Sequence, residues 1–142
     1  MPIFNLLSKN FTYQKKDKLK SRKQMQFLFS KGTAIAMHPI RLLYTIEKEE
    51  AGIFSNGLLQ AGVGAPSRQF RKAVQRNKVK RLLREGYRLE KPDFMNAMSF
   101  TNTRLNLFFL YVDVNVQSQQ QIQATIKLLL QKLADKLKSN VV

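Results

Sequence analysis

Residues 67–91 read SRQFRKAVQRNKVKRLLREGYRLEK, and this stretch organises the rest of the chain. It holds ten Lys/Arg against two Glu, so one segment carries half of the formal net charge of +16. Its second half has helical periodicity. At about 100° per residue, Val79, Leu82, Leu83, Gly86, Tyr87 and Leu89 fall within one apolar arc. Lys80, Arg81, Arg84 and Arg88 fall on the opposite arc, with Asn77 among them. One face is suited to dock on a core and the other to present a row of cations. A helix face kept only for solubility usually mixes signs, whereas here only Glu85 and Glu90 dilute the positive charge. The pattern points to a polyanion-binding helix.

Working outward, Leu58–Ala65 reads as a strand ended by Pro66, its Gly62 and Gly64 permitting close backbone approach. Ile40–Ile46 is rich in strand formers, and Ala34–Met37 is either its hairpin partner or its lead-in. The acidic, polar run from Glu47 to Gly57 reads as an exposed loop. Ser21 and Gln24 form a capping box before a short helix over Arg22–Lys31, with Gly32 in the left-handed position past its end. Beyond the basic helix, Pro92–Arg104 is expected to be a loop. Leu105–Val114 is nearly continuously apolar, as a strand covered on both faces requires. Ser118 and Gln121 form a second capping box, and Ile122, Ile126, Leu129, Leu130, Leu133 and Leu137 trace the buried stripe of a last helix. Residues 1–17 are expected to be a loose basic arm and 18–142 a single domain. The order of elements gives an α+β fold, an α-β sandwich with one mostly antiparallel sheet packed by about three helices.

Composition excludes several function classes. Without cysteine there is no disulfide framework and no thiolate metal site, and the single histidine, His38, cannot build an imidazole zinc centre. The nine acids yield no paired carboxylates, and no Ser/His/Asp set or phosphate-cradling glycine loop is present. Glu85 is expected to pair locally with Lys78, Arg81 or Arg88. No apolar run approaches the ~20 residues of a membrane span, and the first residues lack the basic-then-apolar order of a signal peptide. A cytoplasmic protein with nucleic acid as partner is expected, with no membrane and no small-molecule substrate. A pI near 10.4 agrees with that expectation.

The run Arg76, Asn77, Lys80, Arg81, Arg84, Glu85 also resembles the R-N-x-x-K-R-x-x-R-E signature of the bacterial ribonuclease P protein subunit. The resemblance covers roughly residues 18–137. It implies a left-handed βαβ crossover holding the basic helix, a hand that elementary packing would not select, in a fold shared with a ribosomal protein domain. It also implies a protein without catalytic residues or a cofactor of its own, whose RNA partner performs the Mg²⁺-dependent hydrolysis that removes the 5′ leader of precursor tRNA. Arg68, Arg71, Lys72, Arg76, Asn77, Lys80, Arg81, Arg84 and Arg88 would contact that catalytic RNA. Arginine suits the role because its fork matches phosphate and its plane stacks on bases. Family members carry a Lys pair where this chain has Ser67 and Arg68, so Ser67 is a departure expected to weaken one contact. Met25, Phe29 and Tyr44 match the aromatic cleft that receives the leader, with Met25 replacing the usual aromatic. On the residues alone, the stripe containing Met25, Leu28 and Phe29 is equally readable as core. The alternative function is a structural RNA-binding protein of ribosomal type; a self-sufficient nuclease lacks the carboxylates to hold metal.

Overall fold

Alternation of apolar residues along the strands decides how the layers of this protein stack. The structure, a computed structural model, describes residues 22–48, 58–97 and 103–141. In chain order these form α1 (Arg22–Lys31), β1 (Thr33–Met37), β2 (Ile40–Lys48), β3 (Leu58–Gly64), α2 (Ala73–Ala97), β4 (Thr103–Tyr111) and α3 (Gln119–Val141). The sheet order is β1-β2-β4-β3. β1 is therefore the hairpin partner of β2, with Ile35 opposite Leu42. β2 and β4 are antiparallel, Leu42 opposite Phe109, while β3 and β4 are parallel, Ala61 opposite Leu107. The parallel pair is joined through α2, a βαβ crossover.

Ile35, Leu42, Tyr44, Leu59, Ala61, Leu107, Phe109 and Tyr111 share one sheet face with Val79, Leu83 and Tyr87 of α2 and the Ile122–Leu137 stripe of α3. The opposite face carries a smaller cluster in which Leu28 of α1 packs on Leu43 and Phe108, with Met25 and Leu110 beside them. β4 lies between β2 and β3 and is covered on both faces, from Leu105 at 1% exposure to Tyr111 at 0%. Gly86 lets the two long helices approach: a Cβ there would lie 2.8 Å from Ile126 Cδ1 and 3.4 Å from Gln123 Cα.

The second capping box forms as the sequence indicates. Gln121 N–H donates to Ser118 Oγ at 3.2 Å, and Ser118 N–H donates to Gln121 Oε1 at 3.1 Å. The first box, at Ser21, falls outside the described residues, as do residues 1–17 and most of the acidic 47–57 loop.

Two local expectations are corrected. Pro92 does not end the basic helix, which runs on to Ala97. A proline inside a helix removes one backbone bond and costs about 3 kcal/mol. Here Pro92 and Phe94 are buried, and Gln123 Nε2 donates to Glu90 Oε1 at 3.1 Å. Burying one large apolar side chain contributes about 1.5–3 kcal/mol, so packing on α3 offsets the lost bond. Gly32 stops α1 without a left-handed backbone. Its N–H donates to Leu28 O at 2.9 Å, and a Cβ at that position would collide with the same carbonyl and come within 3.3 Å of Tyr44 O. Close approach, not φ, selects glycine there.

Candidate nucleic-acid interface

The buried stripe of α2 fixes which of its cations face water. With Val79, Leu83, Gly86 and Tyr87 against the core, Asn77, Lys78, Arg81 and Arg84 are all exposed, and Lys80 is half-buried at the edge of the row. Val74, Asn77, Lys78, Arg81 and Arg84 line an open groove of about 460 Å³. Lys78 was not among the expected contacts, although its place one turn before Arg81 and Lys80's flank could have marked it. Arg68, Arg71 and Lys72 are exposed in the segment entering the helix.

Two of the expected contacts are engaged within the protein. Arg88 Nη2 lies 2.6 Å from Glu85 Oε1, and its Nε donates to Glu85 Oε2 at 3.1 Å. This two-point pair holds the Glu85 carboxyl below its ordinary value and raises the Arg88 guanidinium, the hydrogen bond being the main cause in each. Of the three partners open to Glu85 in the sequence, Arg88 is the one it takes. Arg76 Nη1 donates to the carbonyls of Phe70 and Arg71, both at 2.9 Å.

On the other side of the sheet, α1 presents Phe27 and Phe29 at 49% and 53% exposure. The Phe29 ring meets Phe108 edge-on, centroids 5.0 Å apart, and Met25 packs half-buried on the same cluster. The structure brings Met25 and Phe29 together but not Tyr44. Tyr44 is 7% exposed and belongs to the main core under α2 and α3. Its neighbour Leu43 faces α1 instead. Side chains alternate along a strand, so a one-residue shift moves the contact to the other face. Phe108 was missed because it sits in an apolar run with no outward sign of which residues face which layer. Beside it Gly64 leaves room: a Cβ there would be 2.8 Å from the Phe108 ring.

His38 is exposed and its Nε2 lies 2.9 Å from Asp113 Oδ2, tying the β1–β2 turn to the segment after β4. A second pocket, about 210 Å³, lies between α2 and α3 and mixes Glu90, Asp93 and Asp135 with Lys127 and Lys138. Such mixed charge does not favour a polyanion. Among the described residues no three His, Cys, Asp or Glu converge to hold a metal ion, and no helix is long and apolar enough to cross a membrane.

The family model described as Ribonuclease P matches residues 13–134. The chain belongs to the Ribonuclease P family. Two relatives from strains of Porphyromonas gingivalis, each named ribonuclease P protein component, are 27% identical over 130 residues, covering 92% of both chains. Two solved structures share the fold. The RNase P protein of Thermotoga maritima superposes with a TM-score of 0.59 at 17% identity, covering 81% of this chain and 96% of its own. That of Staphylococcus aureus gives 0.56 at 18% identity, covering 84% and 96%. The run from Arg76 to Glu85 and the open groove lie on the same helix, α2.

Proposed function

We propose that this chain is the protein subunit of ribonuclease P, binding the catalytic RNA and the 5′ leader of precursor tRNA so that the leader is removed. The observation that carries the reading is the exposed row Asn77, Lys78, Arg81 and Arg84 along the groove of α2, in a chain of this family. Lys80 borders the row, and Arg68, Arg71 and Lys72 extend it toward the helix start. Each cation that meets a phosphate releases counterion, which supplies affinity without sequence preference.

The leader binds on the opposite face of the sheet, along Met25, Phe27 and Phe29, with Phe108 anchoring the Phe29 ring from below. An aromatic platform accepts any base, worth about 1–3 kcal/mol per stacked base. That tolerance is required of a protein serving many leaders. Met25 supplies a soft apolar contact rather than a stacking plane. Tyr44, turned into the main core, takes no part. The chemistry belongs to the RNA subunit and its Mg²⁺, and the protein acts in the cytoplasm by positioning both RNAs.

The test is cleavage of precursor tRNA at low magnesium by a bacterial ribonuclease P RNA, with and without this protein. Strong stimulation with the cut at the mature 5′ end is expected. Tight RNA binding without stimulation would overturn the reading in favour of a structural RNA-binding protein.

A further inference from the structure

Arg76 differs from the cations around it. Arg68, Arg71, Lys72, Arg81 and Arg84 are exposed, whereas Arg76 is half-buried, and its Nη1 is shared between two main-chain carbonyls, those of Phe70 and Arg71. Both carbonyls lie upstream of α2, in the segment that carries Arg68, Arg71 and Lys72.

That segment is pinned in only a few places. Gln69 and Phe70 N–H groups both donate to Pro66 O at 3.1 Å. Phe70 is 2% exposed, and its ring lies 5.9 Å from Tyr111. Past Phe70 the chain turns outward, and the helix that follows starts without the usual side-chain cap. Lys72 stands where Ser, Thr, Asp or Asn would accept from the first turn. No acid occupies that turn, and Lys72 O alone receives the Gln75 and Arg76 N–H groups. A charged guanidinium on two neutral carbonyls makes stronger bonds than a neutral donor, so Arg76 fixes the join between loop and helix.

We infer that Arg76 is a positioning residue: it holds the carbonyls of Phe70 and Arg71 so that Arg71 and Lys72 are displayed in line with the α2 cations, rather than itself serving as a phosphate ligand. This rests on the proposed RNA-binding role of the α2 face. It separates Arg76 from Arg81 and Arg84, which the same sequence signature contains.

Affinity of the full chain for a bacterial ribonuclease P RNA is measured for Arg76→Ala, Arg76→Lys, the pair Arg71→Ala/Lys72→Ala, and the combined triple variant. Positioning predicts that Arg76→Ala loses roughly tenfold, that Arg76→Lys restores little of it despite keeping the charge, and that the triple variant binds like the pair. Multiplying losses together with rescue by lysine would overturn the inference. A second readout needs no RNA: tryptic cleavage after Arg71 and Lys72 in the free protein should accelerate in Arg76→Ala while thermal unfolding changes little. Unchanged cleavage would also overturn it. If wild-type protein fails to bind the RNA, the functional reading fails, and the cleavage rates still decide the role of Arg76.

Discussion

Phe29 of α1 and Phe108 of β4 meet edge-on at a centroid distance of 5.0 Å, and the two differ sharply in exposure, 53% against 7%. One ring is therefore available to a ligand while the other anchors it. Phe29→Ala should cost only the edge contact, about 0.5–1.5 kcal/mol, whereas Phe108→Ala opens the small core and should cost about 3–5 kcal/mol. Thermal melts measure both. In the assembled ribonucleoprotein, Phe29→Ala should also lower the preference for leader-bearing over mature tRNA roughly tenfold, as loss of one stacked base implies. An unchanged preference would remove Phe29 from the leader site.

Tyr44 provides the contrast. It packs in the main core, so Tyr44→Ala should cost the roughly 3–5 kcal/mol of stability typical of buried aromatic truncation and lower the melting temperature accordingly. Any leader preference that survives refolding should be that of the wild type. Selective loss of leader discrimination at full stability would place Tyr44 back in the cleft.

Arg81 and Arg84 are exposed on the groove of α2. Replacing either with Ala should leave stability within about 0.5 kcal/mol. Each should flatten the dependence of log K on log salt by about 0.7–0.9 if one phosphate contact is lost. Titrations of the RNA subunit across a salt series read the slope directly, and two unaltered slopes would sink this RNA face.

Gly64 faces the Phe108 ring, and a Cβ at that position would lie 2.8 Å from it and 3.3 Å from Leu110 Cδ1. Gly64→Ala must displace a ring already wedged against Leu28 and Leu43. Overpacking of this kind costs about 1–3 kcal/mol, and the shifted ring should weaken leader discrimination along with stability. A variant as stable as wild type would mean that the ring moves freely.

Asp113 is held below its ordinary carboxylate value, first by the Asn115 N–H and then by His38. A carboxylate depressed in the folded state contributes stability that is present above its unfolded value and is lost as pH falls through the folded value. Melts from about pH 5 to about pH 2 should therefore show a decline that is shallower in Asp113→Asn. Identical profiles would assign the acid sensitivity to other carboxylates.

Much of the site could be read without coordinates, because it depends on local order. The spacing of Val79, Leu83, Gly86 and Tyr87 alone orients α2, and once that stripe is buried the exposure of Asn77, Arg81 and Arg84 follows. The Ser118–Gln121 cap and the strand character of 105–111 are local in the same sense. What local order could not supply was whatever depended on a partner distant in the chain. Tyr44 and Leu43 are neighbours that both suit a buried strand position, and only the pairing of β2 with β4 decides which faces α1. Phe94 and the Glu90–Gln123 bond carry α2 past a proline that local rules would treat as a stop.

The sequence by itself determined the family, the basic face and the order of elements, since these rest on residue identity and on periods of 2 and 3.6 within single segments. Tertiary structure alone decided the rest: Leu43 rather than Tyr44 toward α1, Phe108 against the Phe29 ring, and Arg76 turned back onto the carbonyls of Phe70 and Arg71. The first two depend on which face of the sheet a residue takes, fixed only when separate segments pack, and the third on where the turn before α2 leaves its carbonyl acceptors.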